Sequence, residues 1–135
     1  MNNSIEEFKE QLRKVGLRIT PARLVILTLL QNHSKPLEVR SVLRLLKASA
    51  PDQATVYRAL SSLTTCGLVK AITLKSGIVS YEIANLPHHH HLICERCGYV
   101  EDVETCCESP RPRVASFTIV NDHRLEFSGI CNNCA

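Results

Sequence analysis

The chain has 135 residues, 44% of them apolar but only 4% aromatic, and a formal net charge of +3. That length suits one compact domain or two small ones, with a core built mainly from aliphatic side chains. The opening from Met1 to Lys14 is polar and the longest apolar run, Leu24 to Leu30, is interrupted by Thr28, which excludes a signal peptide or a spanning helix and predicts a soluble, cytoplasmic protein. Charge is distributed unevenly. Residues 1–86 carry 12 Lys/Arg against 6 Asp/Glu, whereas residues 87–135 carry 4 against 7. A basic half attracts phosphate backbones and an acidic half rich in His and Cys attracts cations, so a domain boundary is expected near Leu86-Pro87.

In the basic half, Ile5, Phe8, Leu12 and Val15 recur at helical spacing and stop at Gly16, predicting a short amphipathic helix. Thr20-Pro21 opens a second helix, with Thr20 as N-cap and Leu24, Leu27 and Leu30 turned inward; it is expected to end near Asn32. Val39, Val42, Leu43 and Leu46 mark a third. Asp52 then caps a fourth, which runs through Val56, Leu60 and Leu63 to Gly67. Leu68–Leu74 and Ile78–Ala84 are β-rich runs around Lys75-Ser76-Gly77 and read as a hairpin. Helices followed by a hairpin make a winged helix-turn-helix, in which the fourth helix enters the major groove N-terminus first. The overall expectation is an α+β chain: residues 1–86 as a DNA-binding domain and residues 87–135 as a metal-binding domain.

In the acidic half, two Cys-x-x-Cys pairs, Cys94/Cys97 and Cys131/Cys134, each stand beside a glycine. Two intervening residues let both sulfurs of a pair reach one tetrahedral ion at about 2.3 Å. Four thiolates close such a site, and cysteines kept reduced in the cytoplasm favour metal over disulfides, so structural zinc is expected. Cys66, Cys106 and Cys107 stay unassigned. Histidines 88 to 91 directly precede the first pair. A strand through that run turns His89 and His91 to one face and His88 and His90 to the other, so one run can feed two exchangeable sites. Farther on, any helix over Thr105–Ser116 must be short or broken, because Pro110 and Pro112 lie within it. Phe117–Val120 and Arg124–Ser128 alternate as strands around Asn121-Asp122.

Three segments together resemble the ferric uptake regulator family: Gly16-Leu17-Arg18-Ile19-Thr20-Pro21-Ala22-Arg23, Ala54-Thr55-Val56-Tyr57-Arg58-Ala59-Leu60, and His88 through Gly98. They occur in the family's order and span nearly the whole chain. The resemblance implies a homodimeric, metal-activated repressor that binds A/T-rich palindromic DNA, with a C-terminal αβ dimerisation domain. It implies DNA contacts from Arg18, Thr55, Tyr57 and Arg58. It also implies a regulatory metal at the domain hinge, held by Glu82, His89, His91 and Asp102. A further site is implied for His88, His90 and His123, with Glu108 as the candidate acid. Where the family places a histidine before its third helix, this chain has Lys35 or Pro36. His33, slightly upstream, either reaches the regulatory site by a longer loop or caps its own helix.

Asp102 and His123-Arg124-Leu125-Glu126 resemble the peroxide-sensing branch, while the four-histidine run resembles zinc uptake regulators. Nitrogen and oxygen ligands suit several divalent ions, and zinc or iron(II) is expected as the regulatory metal. Two other readings compete. One is a peroxide or redox switch of the same fold, acting through Cys106-Cys107, the zinc thiolates or iron-bound histidines. The other is a zinc hydrolase with Glu82 as base, against which the winged-helix motifs and the basic half both argue.

Overall fold

The computed structural model describes residues 4–47, 51–74, 77–103, 114–120 and 125–135. The chain forms two compact units, Met1–Leu86 and Pro87–Ala135.

The first unit opens with α1 (Ile5–Lys14). Its start is a capping box: the Glu7 N–H donates to Ser4 Oγ at 3.3 Å, and the Ser4 N–H donates back to the Glu7 carboxylate at 3.1 Å. Gly16 ends the helix at φ +76, a conformation that an L side chain rarely adopts. α2 (Pro21–Asn32) begins with Thr20 Oγ1 accepting the Arg23 N–H at 3.3 Å and with proline in its first turn. A two-residue strand, β1 (Leu37–Glu38), leads directly into α3 (Val39–Leu46). α4 (Gln53–Thr65) is capped by Asp52, whose Oδ1 accepts the Thr55 N–H at 2.7 Å.

These helices bury one shared apolar face. Phe8 and Leu12 of α1, Ile26, Leu27 and Leu30 of α2, Val42 and Leu46 of α3, and Val56, Ala59, Leu60 and Leu63 of α4 form a single cluster with Leu37 and Val69. Full burial of each large aliphatic or aromatic side chain among them contributes about 1.5–3 kcal/mol. The periodic residues read from the sequence thus supply most of this core.

β2 (Val69–Thr73) and β3 (Val79–Ile83) form the hairpin, paired antiparallel from Val69↔Ile83 to Thr73↔Val79. β1 adds to the other side of β3 through Leu37↔Tyr81 and Glu38↔Ser80, giving the order β1-β3-β2. Four helices and this small sheet make a winged helix-turn-helix.

Among its described residues the second unit contains a three-stranded sheet ordered β5-β4-β6, made of β4 (His90–Cys94), β5 (Val100–Val103) and β6 (Glu126–Gly129). β4 runs antiparallel to β5 and parallel to β6. The strand expected over Phe117–Val120 does not form. Instead the Phe117 N–H donates to the Val114 carbonyl at 3.2 Å and closes a turn, leaving Phe117 and Ile119 well exposed. Alternation alone supplies no partner strand, and a strand without one leaves its backbone groups unmatched. The expected helix lies outside the described residues except for Val114–Ser116 at its end, which belong to this turn; the Asn121-Asp122 turn also lies outside them. Among the described residues no helix is long and apolar enough to cross a membrane.

Candidate metal centres

Cys94 closes β4, and a turn over Glu95–Cys97 follows it. The Gly98 N–H donates to the Cys94 carbonyl at 3.0 Å, with Gly98 at φ +77, and the Cys94 N–H donates to Tyr99 O at 2.8 Å. The second pair forms a similar knuckle, in which the Cys134 and Ala135 N–H groups donate to the Cys131 carbonyl at 3.0 and 3.1 Å. Parallel pairing of β4 with β6 sets Cys94 beside Gly129, two residues before Cys131, and so brings the two knuckles together.

The four sulfurs lie within 4.8 Å of one another, with Cys97 Sγ and Cys131 Sγ 3.6 Å apart. A tetrahedral ion with bonds of about 2.3 Å requires sulfurs roughly 3.8 Å apart, so the cluster is sized for one such ion. Its acidity points the same way. The Cys131 backbone N–H, donating to Cys94 Sγ at 3.4 Å, is the main reason that the Cys94 thiol falls to about 6. The neighbouring Cys131 and Cys97 sulfurs push Cys134 up to about 12. Four adjacent sulfurs resist ionising together, and a bound dication removes that resistance.

β4 begins at His90, so the strand expected through the whole histidine run covers only its second half, with His88 and His89 in the segment that leads into it. The His89 and His91 rings are 5.0 Å apart and nearly perpendicular, and His88 and His90 form a similar pair at 4.7 Å. Pairing of β4 with β5 puts Asp102 directly opposite His91. Asp102 Oδ1 lies 3.5 Å from His91 Nε2 and Oδ2 lies 3.9 Å from His89 Nε2, with all three side chains largely shielded. His89 Nδ1 is 2.8 Å from the Pro87 carbonyl. A carbonyl only accepts, so Nδ1 donates there and Nε2, on the side of the carboxylate, is the ring atom left to bind an ion. Two imidazoles and a carboxylate arranged in this way suit a divalent ion of the zinc, iron or manganese class.

On the opposite face, His88 Nε2 and His90 Nε2 approach to 3.3 Å. His90 is 3% exposed, with the Phe127 ring 6.4 Å away. Glu108 and His123, expected alongside this pair, lie outside the described residues. Glu82 is a buried carboxylate in β3 of the first unit, with Lys70 as its cross-strand neighbour. His33 stands at the C-cap of α2, where its Nδ1 donates to the Leu29 carbonyl at 2.8 Å, so the helix end occupies one of its ring nitrogens.

The residues expected at DNA all belong to the first unit. Tyr57 and Arg58 are exposed on α4, and Arg58 Nη2 donates to Thr55 Oγ1 at 3.3 Å, which steers the guanidinium along the start of the helix. A cavity of about 510 Å³ lined by Thr20, Arg23, Pro51, Thr55 and Arg58 lies between the starts of α2 and α4. Arg18 is exposed in the α1–α2 loop. The Arg23 guanidinium donates to the Arg18 carbonyl and braces that loop. The Arg96 guanidinium donates to the Cys134 carbonyl, a contact for which the sequence offered only an arginine inside a Cys-x-x-Cys loop.

A profile of the ferric uptake regulator family matches residues 14–128. The ferric uptake regulation protein of Bacillus subtilis is 35% identical over 144 aligned positions, covering 99% of this chain and 96% of that protein. Its counterpart from Legionella pneumophila is 34% identical, covering 95% and 98%. Among solved structures, the iron-containing ferric uptake regulator of Francisella tularensis is similar, with a TM-score of 0.71 and 29% identity, covering 88% of this chain and 95% of that one. A winged helix joined to a sheet with four clustered thiols, together with the family match over most of the sequence, places this chain in the ferric uptake regulator family of transcriptional regulators.

Proposed function

We propose that this chain is a cytoplasmic, homodimeric repressor that binds an A/T-rich palindromic operator when zinc or iron(II) occupies a regulatory site built on His89, His91 and Asp102. The observation that carries this reading is the convergence of the His89 and His91 Nε2 atoms on the Asp102 carboxylate, with the His89 tautomer set by Pro87. Glu82 completes the set on the strength of the family resemblance, and His33 remains an alternative contributor on the same ground. Cys94, Cys97, Cys131 and Cys134 hold structural zinc, and their folding is coupled to its retention. His88 and His90, joined by Glu108 and His123, form an additional site.

In this reading residues 1–86 bind DNA and residues 87–135 dimerise and bind metal. Tyr57 and Arg58 meet base edges, with an aromatic ring suited to a thymine methyl and a guanidinium suited to guanine. Thr55 aligns Arg58, and Arg18 approaches the neighbouring minor groove. The regulatory cation supplies positive charge that draws imidazoles and carboxylates together. Any effect on DNA arises from its differential affinity for the DNA-competent state. A coupling of about 1–3 kcal/mol changes DNA affinity about 5–150-fold.

The test is fluorescence anisotropy with an A/T-rich palindrome at fixed salt, since phosphate contacts are screened. Zinc-replete dimer is titrated separately with iron(II), zinc and manganese. Binding switched on by one metal at far lower free concentration supports the reading and names the effector. Equal binding without added metal overturns it in favour of the peroxide or redox reading.

A further inference from the structure

The two cysteine knuckles are joined by unequal tethers. The Glu95 N–H donates to the Gly129 carbonyl at 2.8 Å, extending the β4–β6 ladder past Cys94. The Cys131 N–H donates to Cys94 Sγ at 3.4 Å. Both tethers hold the near side of the second knuckle, from Gly129 to Cys131. The far side is held differently. The Cys134 and Ala135 N–H groups return to the Cys131 carbonyl, so these bonds shape the turn without attaching it to the first knuckle. Among the described residues, the backbone of Cys134 is tied to the first knuckle by Arg96, 38 positions earlier, whose guanidinium donates to the Cys134 carbonyl, while the Cys134 sulfur lies against those of Cys94 and Cys97.

Four thiolates around a dication leave two net negative charges. A guanidinium beside them offsets part of that charge while its N–H fixes the backbone of one ligand. Neighbours of this kind typically govern metal affinity by about 10–100-fold without touching the metal. Arg96 is exposed, so its removal deletes no core side chain.

We infer that Arg96 is the positioning residue that locks Cys134 onto the structural zinc, making Cys134 the ligand that opens first when the lock is removed. This rests on the zinc reading of the four cysteines. It makes zinc retention a property of a side chain outside the ligand set.

The test uses full-length dimer carrying one zinc per chain, mixed at fixed pH with excess 4-(2-pyridylazo)resorcinol, whose absorbance reports zinc release. Samples taken during release are pulsed with iodoacetamide and read by mass spectrometry. Arg96→Ala is expected to release zinc about tenfold faster, with Cys134 alkylated ahead of Cys94, Cys97 and Cys131. Arg96→Lys, which keeps the charge and an N–H group able to donate to the Cys134 carbonyl, is expected to recover most of the difference. An Arg96→Ala chain that loads no zinc while Arg96→Lys does also supports the lock. An unchanged release rate in Arg96→Ala overturns it, as does faster release with all four cysteines alkylated evenly. Wild-type dimer with no zinc on these cysteines overturns the zinc reading itself, an outcome separable from failure of the lock alone.

Discussion

At the residue scale, the regulatory cluster depends on which ring nitrogen holds a proton. Pro87 settles this for His89 by accepting its Nδ1–H, which presents Nε2 to Asp102. His89→Ala removes one imidazole and leaves the four cysteines intact. This variant is expected to keep one zinc per chain by elemental analysis and to lose the metal-dependent increase in DNA affinity; an unchanged response moves the switch to other residues. Much of the local chemistry was legible beforehand. The pairing of His89 with His91 and of His88 with His90 matches the alternation expected of a strand, although only His90 and His91 lie in β4. The Pro87 and Arg96 contacts were not legible, because a side chain bonding to a backbone carbonyl leaves no mark in residue spacing.

At the scale of elements, α4 depends on its first turn. Asp52 accepts the Thr55 N–H, and that bond is the main reason its carboxyl lies below the ordinary value of 3.8. A carboxylate with a depressed folded pKa contributes stability that is fully present above the unfolded value and is lost as pH falls through the folded one. Asp52→Ala is therefore expected to lower Tm at pH 7, with the gap to wild type narrowing below pH 3.8 to that of an uncharged cap. Asp52→Asn, an uncharged cap, should lack this pH-dependent component. Thermal melts followed by circular dichroism across that range check both. A gap that does not change with pH rejects the assignment of the effect to the carboxylate. Helix starts at Thr20 and Asp52 were readable because capping is local chemistry. β1, only two residues long, was not readable, since it is too short for periodicity and exists through its pairing with β3. The Phe117–Val120 segment failed in the opposite sense, with alternation present and no strand formed.

At the scale of the whole molecule, the second unit is small, and below about 40 residues domains usually need a metal, disulfides or oligomerisation. The 49 residues of the second unit stand close to that limit. Cys131→Ser is expected to lose one zinc per chain and the stable dimer while the four-helix core of the first unit stays folded. Size-exclusion chromatography with light scattering and elemental analysis reads the first two effects, and circular dichroism reads the third. A zinc-replete dimer of this variant rejects a structural role for the site.

The sequence by itself determined the helices, their caps, the apolar face they share, the hairpin and the pairing of cysteines within each Cys-x-x-Cys loop. These depend on neighbours a few positions away, where spacing and propensity act directly. The sequence also predicted that the two loops share one ion, but only the tertiary structure decided which strand pairing brings them together, that Asp102 stands opposite His91, and that Arg96 reaches Cys134. Those contacts depend on strand register, and a shift of one residue would turn each side chain to the other face of the sheet.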